Sequence, residues 1–342
     1  MMKNQFRPDL VLDLPRNSMV AYASLAKAAH QKKLTLALGA GVSMSAGLPS
    51  WIVLLRRIAS TYWTHWEFEK ERGKATNNHP PRDLSIVFWN EFHWSDITRQ
   101  IADELVTQED ALRLAQMIKA RVRPKDWIYL VRKSLYGDEP IPNPSALLDE
   151  IAKLCADDTP NTEILSYNYD NLAETALQKL GVRANCIWEP MVSNRLGTIP
   201  IYYPHGYLKY GGGPKVSIVL GEDDYSQYAI DQYGWKNSIQ LRQFSSTTCL
   251  FLGFSLTDPQ VRRLLWVAKG CGGAQHYALL PASTKNDDKA EMLESLFDAQ
   301  LRDINVNVIR YCVGKDGRDH SKLSELLALF RDLRKNPGQL WT

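Results

Sequence analysis

The sequence has few cysteines, no strong charge of either sign and no long apolar run. The five cysteines are scattered along 342 residues, at Cys155, Cys186, Cys249, Cys271 and Cys312. An odd number at wide spacing argues against a disulfide framework and fits a reducing cytoplasm. We therefore expect a cytoplasmic protein.

The sequence gives no indication of binding to nucleic acid or to a membrane. The formal net charge is only +3, and no polybasic or acidic block stands out, so direct nucleic-acid binding is not indicated. Residues 1–18 lack the apolar core of a signal peptide, and no segment has the length needed to span a bilayer. We expect no membrane association.

Alternating strand and helix patterns predict an α/β fold. Buried-strand signals are followed by helical periodicity from residue 34 onward, which indicates a Rossmann-like, mostly parallel sheet flanked by helices. Residues 56–136 are mainly helical and interrupt that alternation. We interpret them as a helical insertion after the first βα unit of a domain formed by residues 34–55 and 137–342. Residues 1–33 form an N-terminal arm and helix.

The most informative segment is LTLALGAGVSMSAGLPSW, residues 34–51. An apolar strand runs into Gly39-Ala40-Gly41, and Ser43 follows at the start of a helix. A strand, a glycine turn and a helix bring backbone N–H groups against a phosphate. These four residues are therefore candidate cofactor-binding residues, although such a turn can also be purely structural.

The spacing after this turn differs from that of a dehydrogenase. A GxGxxG fingerprint would place a third small residue at Met44, and an acidic residue would follow a second strand about twenty positions later. Residues 59–61 read Ala-Ser-Thr, with no strand before them. The turn thus predicts a dinucleotide site that does not serve hydride transfer.

Two further segments carry side chains suited to catalysis where a predicted strand ends. The first is Ser-Tyr-Asn-Tyr-Asp at 166–170, where Asn168 and Asp170 can face one crevice, although Asp170 can also cap the next helix. The second is Tyr-Pro-His-Gly at 203–206. His205 lies there between Pro and Gly, and histidine can act as a general base near neutral pH.

A third segment resembles the first in design. The apolar run from Cys249 ends at Gly253, and Ser255 follows two residues later. Backbone and hydroxyl donors meet again after a strand, which makes Gly253 and Ser255 candidate ligand contacts. Thr257 and Asp258 are as well explained as caps of the following helix.

These four segments, in this order, resemble the motifs of sirtuins. The glycine turn is similar to the sirtuin Gly-Ala-Gly signature, and the segment 166–170 resembles Thr-Gln-Asn-Ile-Asp. His205-Gly206 resembles the catalytic His-Gly, and Gly253-Phe254-Ser255 resembles Gly-Thr-Ser. The resemblance extends from about residue 34 to 312. It implies a site that binds NAD⁺, with Asn168 and His205 as catalytic residues and Asp170 orienting the nicotinamide amide.

The departures from that pattern point to one branch of the family. Sirtuin deacylases have two Cys-x-x-Cys zinc pairs, whereas the nearest cysteines here are 22 positions apart. Ser50-Trp51 replaces Asp-Phe-Arg, and Tyr167 replaces the glutamine. The segment 219–225 also looks like the zinc-free sirtuin-like domains of bacterial anti-phage defence systems. This resemblance implies hydrolysis of NAD⁺ to nicotinamide and ADP-ribose as an abortive-infection effector.

Two alternatives use the same site. The chain could be an NAD-dependent protein deacylase, or a non-catalytic module that senses NAD⁺ or ADP-ribose. If the chain hydrolyses NAD⁺, control of the activity is expected, because a constitutive NADase would kill its host. We expect a homo-oligomer, an activating partner protein encoded nearby, or both. The expected interface is the aromatic stretch from Trp51 to Trp94 together with the helical block to about residue 136; the tryptophans of the stretch are Trp51, Trp63, Trp66, Trp89 and Trp94.

The cysteine spacing gives a first testable prediction. Without the two Cys-x-x-Cys pairs, the chain has no four-cysteine site for structural zinc. Elemental analysis of the purified, chelator-treated protein should find much less than one zinc per chain, with unchanged thermal stability. One tightly held zinc per chain would contradict this and would revive the deacylase alternative.

Overall fold

A computed structural model of the chain describes residues 14, 16–31, 33–74, 111–137, 141–158, 161–190, 196–212, 217–284, 287–314 and 319–335. Within these ranges no helix is both long and apolar enough to cross a bilayer. Two of the tryptophans in the predicted interface, Trp89 and Trp94, lie outside the described residues, as do residues 75–110 of the predicted insertion. The insertion boundaries therefore stay a prediction.

Seven parallel strands form one sheet. In chain order they are β1 Leu34–Leu38, β2 Thr162–Ser166, β3 Ala184–Ile187, β4 Ile199–Tyr202, β5 Thr248–Leu252, β6 His276–Pro281 and β7 Val306–Tyr311. Their order across the sheet is β3-β4-β2-β1-β5-β6-β7, and every pairing is parallel. The predicted Rossmann-like α/β class is thus confirmed. The central strands β1, β2 and β5 are buried at every residue, as expected for strands covered on both faces.

Helices connect and flank these strands. In the described residues they are α1 Arg16–Gln31, α2 Ala40–Met44, α3 Trp51–Glu71, α4 Ala111–Lys119, α5 Pro124–Tyr136, α6 Ala146–Asp157, α7 Leu172–Lys179, α8 Glu222–Ile230, α9 Trp235–Ser246, α10 Pro259–Gly270, α11 Asp288–Arg302 and α12 Ser321–Lys335. Helices α8 and α9 follow each other along the chain and are separated by a short non-helical stretch between Ile230 and Trp235.

Contacts divide the chain into two compact units. The first contains residues 1–46, 143–205 and 232–342, and the second contains 47–142 and 206–231. The whole parallel sheet belongs to the first unit. The second unit holds helices α3, α4, α5 and α8; in it Lys119 Nζ lies 2.5 Å from Asp224 Oδ1.

The core of the first unit lies against the sheet. From β1 the sheet extends on one side to β2, β4 and β3 and on the other side to β5, β6 and β7. Right-handed crossovers therefore place the helices of the two halves on opposite faces of the sheet. One buried cluster joins alternate strand residues such as Ala37, Leu165 and Phe251 to side chains of α9, α10 and α11. This packing fixes the level at which the central strands end.

Two turns meet at those ends through glycines. A Cβ atom added at Gly39 would lie 2.5 Å from the carbonyl oxygen of Gly253 and 2.6 Å from the Cα of Phe254. One added at Gly41 would lie 2.9 Å from the Cα of Gly253. Gly253 itself has a φ of +56°. Glycine is therefore required at 39, 41 and 253 by close backbone approach alone.

This approach predicts a stability effect. Gly39→Ala forces a methyl group into backbone atoms, and overpacking of this kind costs about 1–3 kcal/mol of unfolding free energy. Gly270→Ala is the matched control, because no atom lies within 4 Å of its Cβ position. Chemical denaturation should show a loss for the first variant and none for the second. Equal stability of the two variants would contradict the packing described here.

Candidate active site

The predicted motifs lie side by side at the carboxyl edge of the sheet. β1 is the central partner of β2 and β5, and Leu38 is in register with both Ser166 and Leu252. The glycine turn, the segment 166–170 and the turn that begins at Gly253 therefore leave the sheet at one level. Ligands of open parallel sheets bind at this edge. His205 follows β4, the neighbour of β2, at the same edge.

The glycine turn is closed by backbone hydrogen bonds. The N–H of Gly39 donates to the carbonyl oxygen of Leu252 at 3.0 Å, and the N–H of Gly41 donates to that of Gly253 at 2.8 Å. Both amides are thus used within the protein. Ala40, the first residue of α2, is half-buried. The predicted phosphate contacts of this turn stay a prediction, and the close packing explains its glycines without a ligand.

Asn168 is fixed by two hydrogen bonds across the strand ends. Its Nδ2 donates to the carbonyl oxygen of Gly39 and to the hydroxyl of Ser43, each at 2.8 Å. The bond to a carbonyl assigns the amide orientation, since a flipped side chain would face oxygen with oxygen. Both amide hydrogens are committed, so Asn168 offers a ligand its Oδ1, which is an acceptor for ribose hydroxyls or water.

Asp170 belongs to the same hydrogen-bond network. Its Oδ2 accepts a hydrogen bond from the Ser43 hydroxyl at 2.6 Å, and its Oδ1 accepts one from the backbone N–H of Leu172 at 3.0 Å. Burial raises the pKa of this carboxyl, and the two hydrogen bonds partly oppose that effect. Asp170 therefore both binds the start of α7 and holds Ser43. The capping role is thus confirmed, and the predicted role of Asp170 toward the nicotinamide stays a prediction.

His205 is buried beside an aromatic ring and a carboxylate. It is 5% exposed, and its ring packs edge-on against Tyr167 with centroids 5.1 Å apart. Burial lowers the pKa of His205 to about 4; Asp258 acts to raise it and Lys236 to lower it further. The imidazole is consequently neutral at pH 7, which is the form that can accept a proton.

The turn after β5 presents hydroxyl groups to solvent. Ser255 is exposed, and its Oγ lies 2.8 Å from the Oγ1 of Thr257. Leu256 has a φ of +56°, which is uncommon for a residue with a side chain. Ser255 is therefore accessible to a ligand, as its predicted role requires, and that role stays a prediction.

Two features of the site were not predicted from the sequence. Asp258 caps α10, as one alternative held, but its second oxygen lies 3.9 Å from Nε2 of His205. Tyr167 donates its hydroxyl hydrogen to Oε1 of Gln240, a residue of α9, at 2.7 Å. Helix α9 thus holds in place the tyrosine that stands where sirtuins have a glutamine. Both contacts join segments distant in the sequence, and no local pattern signals them.

The opposite edge of the sheet holds a pocket of about 470 Å³. Lys33 and Asn161, which directly precede β1 and β2, line it, so it lies far from the motifs. Two of its basic groups form ion pairs: Arg334 and Lys335 each lie 2.7 Å from an aspartate, Asp158 and Asp157 respectively. We do not assign the dinucleotide site to this pocket.

Within the described residues, no group of three or more His, Cys, Asp or Glu side chains is placed to hold a metal ion. The expected lack of structural zinc stays a prediction.

Comparison with known proteins gives one family match and two named relatives. Residues 162–309 match the family described as SIR2-like domain. NAD(+) hydrolase ThsA of Enterococcus faecium is 25% identical over 179 residues, which are 48% of this chain and 36% of that protein. Defense-associated sirtuin 2 of Bacillus subtilis is 33% identical over 109 residues, 31% of this chain and 10% of that protein. The matched segments thus span a third of one relative's length and a tenth of the other's.

Among solved structures, a mutant Sir2 homologue in complex with ADP-ribose aligns with 92% of this chain and 98% of its own, at 14% identity and a TM-score of 0.39. The family match and the two named relatives confirm the resemblance of the sequence to sirtuin-like proteins of anti-phage defence.

The buried histidine predicts a dependence of stability on pH. The pKa of His205 falls from 6.5 to about 4 in the folded protein. Between these values the unfolded chain binds the proton and the folded one does not, so stability rises as the pH rises from about 4 to 6.5. The difference amounts to about 3 kcal/mol over that range.

Urea denaturation of the wild type and His205→Gln at several pH values measures this effect. The variant should show a flatter dependence below pH 6.5, because Asp170 and the other titrating groups are common to both proteins. Parallel curves for the two proteins would show that His205 titrates normally in the fold.

Proposed function

We propose that this sirtuin-like chain is an NAD⁺ glycohydrolase that cleaves NAD⁺ to nicotinamide and ADP-ribose. One observation carries the proposal: Asn168, fixed through Ser43 and Asp170, lies with a neutral, buried His205 at one edge of the parallel sheet. An oriented amide oxygen and a neutral imidazole are the groups that placement of ribose and activation of water require. The NADase name of one relative supports the same reaction.

The proposed reaction forms no covalent bond between the protein and NAD⁺. The bond between C1′ of the ribose and the nicotinamide nitrogen breaks, and its electron pair leaves with the ring, which departs neutral. Water then bonds to C1′ and gives up one proton. In our proposal His205 accepts that proton, or one from a ribose hydroxyl, and Asn168 Oδ1 orients the ribose hydroxyls or the water. Acid–base assistance of this kind contributes roughly 10²–10⁴ in rate.

The other predicted residues would hold the remainder of the dinucleotide. Gly39, Ala40, Gly41 and Ser43 would lie along the pyrophosphate, and Gly253 with Ser255 would contact it from the neighbouring turn. The hydroxyl of Ser43 already donates to Asp170 and accepts from Asn168. We therefore propose that Ser43 acts mainly by fixing those two side chains, with Asp170 orienting the nicotinamide amide.

We further propose that the protein is a cytoplasmic abortive-infection effector, in which depletion of NAD⁺ stops infected cells from supporting phage growth. Uncontrolled hydrolysis would kill the host, so self-association or an activating partner would control the activity. The name of the second relative, a defence-associated sirtuin, supports the defence role.

Turnover by variants tests the proposed reaction. Asn168→Ala and His205→Ala should each lower NAD⁺ hydrolysis by roughly 10²-fold or more, measured by chromatography of nicotinamide and ADP-ribose. His320→Ala is the matched control, because His320 is exposed and lies after β7; it should keep wild-type turnover. Circular dichroism and thermal unfolding would establish that each variant is folded.

The assay is performed on the purified chain and in expressing cells during phage infection, because we propose that activity is controlled. Normal turnover by folded His205→Ala would overturn the role of His205. A constant NAD⁺ level in both settings would overturn the NADase proposal. NAD⁺ cleavage only with an acyl-lysine peptide would identify a deacylase, and NAD⁺ binding without cleavage would identify a sensing module.

A further inference from the structure

Asp258 uses its two carboxylate oxygens for different purposes. Oδ1 accepts hydrogen bonds from the backbone N–H groups of Gln260 and Val261, at 2.8 and 3.4 Å, and so caps helix α10. Oδ2 takes no part in the cap and lies 3.9 Å from Nε2 of His205. The cap holds the carboxylate in place, because χ1 and χ2 of Asp258 are fixed by the two amides.

The cap alone does not explain an acidic residue here. Serine, threonine and asparagine cap helices as well as aspartate does, and a cap needs only one side-chain oxygen. The Asp258 side chain is only 16% exposed, and the His205 side chain only 7%. A carboxylate directed at a buried imidazole has an electrostatic effect that a neutral cap would lack.

The groups around His205 act on it in opposite directions. Asp258 and Lys236 are the charged groups that influence its pKa, the first raising it and the second lowering it. The Tyr167 ring packs edge-on against the imidazole and is held by Gln240 on α9. The ring is thus confined on one side by an aromatic contact and faces a fixed carboxylate at Nε2.

We propose that Asp258 is a positioning residue whose fixed carboxylate stabilises the protonated form of His205 during NAD⁺ hydrolysis. The inference rests on the proposed role of His205 as proton acceptor. At 3.9 Å the two groups are too far apart for a hydrogen bond, and the resting pair is a neutral imidazole beside an anion. When water attacks C1′ and its proton passes to His205, the pair becomes imidazolium and carboxylate.

The test is Asp258→Asn, which removes the charge but keeps a good helix cap. Asp287→Asn is the matched control, since Asp287 caps α11 through Ala290 in the same way and lies outside the proposed site. Both variants should unfold at similar temperatures. Asp258→Asn should lower kcat for NAD⁺ by about tenfold or more, within the range of acid–base effects, whereas Asp287→Asn should leave kcat unchanged.

The pH profile gives a second readout. Asp258 raises the pKa of His205, so its replacement should lower that pKa and move the acidic limb of the rate profile to lower pH. A purely structural cap would lower activity without moving that limb. Nitrogen NMR of the ring, with His205→Ala to assign the signals, measures the tautomer and pKa of His205 directly and needs no turnover.

The outcomes separate the two proposals. Lower kcat, a shifted acidic limb and changed ring-nitrogen signals in Asp258→Asn support the positioning role. Wild-type kcat in Asp258→Asn, or lower kcat with unchanged ring-nitrogen signals, overturns it. If the wild type fails to hydrolyse NAD⁺, the proposed function fails. In that case unchanged ring signals overturn the contact between Asp258 and His205 as well, and changed signals support it.

Discussion

The close approach of two backbone turns is the constraint on which the candidate site depends. Gly39 and Gly41 donate their amides to Leu252 and Gly253, across a gap that admits no Cβ atom. This contact joins the end of β1 to the end of β5. The carbonyl of Gly39 then accepts a hydrogen bond from Asn168 at the end of β2. Three neighbouring strands are thus tied together where their side chains can meet a ligand.

Burial shifts the pKa values of Asp170 and His205 in opposite directions, for one and the same reason. A low-polarity surrounding disfavours charge, so the pKa of Asp170 rises and that of His205 falls. Hydrogen bonds from Ser43 and Leu172 moderate the first effect. Asp258 moderates the second. A neutral His205 can accept a proton, and the carboxyl group of Asp170 lies at the same edge of the sheet. Both groups suit a reaction in which positive charge develops on the ribose.

The sequence predicted the parts of the fold that depend on local pattern. β1 and β5 are mostly apolar and are followed by a glycine, and β2 has an apolar centre that ends at Ser166. The motifs that follow these strands lie at the carboxyl edge, as predicted. β3 reads Ala-Asn-Cys-Ile and lacks the apolar run that marks β1 and β5.

The contacts that tune the site could not be predicted in this way. Asp258 carries a plain capping pattern, Asp-Pro before a helix, and its second oxygen reaches His205 only because β4 and β5 end at the same edge. The glycines of the first turn were interpreted as space for a phosphate, whereas the structure shows that they also admit another backbone. Whether a given glycine faces a ligand or a neighbouring turn depends on tertiary packing, and a single sequence does not contain that information.

The central claim is that NAD⁺ binds at the carboxyl edge of the sheet, between the Asn168 network and His205. The most direct measurement is a crystal structure of His205→Ala soaked with NAD⁺. We predict that the nicotinamide ribose lies within hydrogen-bond distance of Asn168 Oδ1, with the pyrophosphate along the turn at residues 39–43. Binding of NAD⁺ in the pocket at the opposite edge, beside Lys33 and Asn161, would contradict the account.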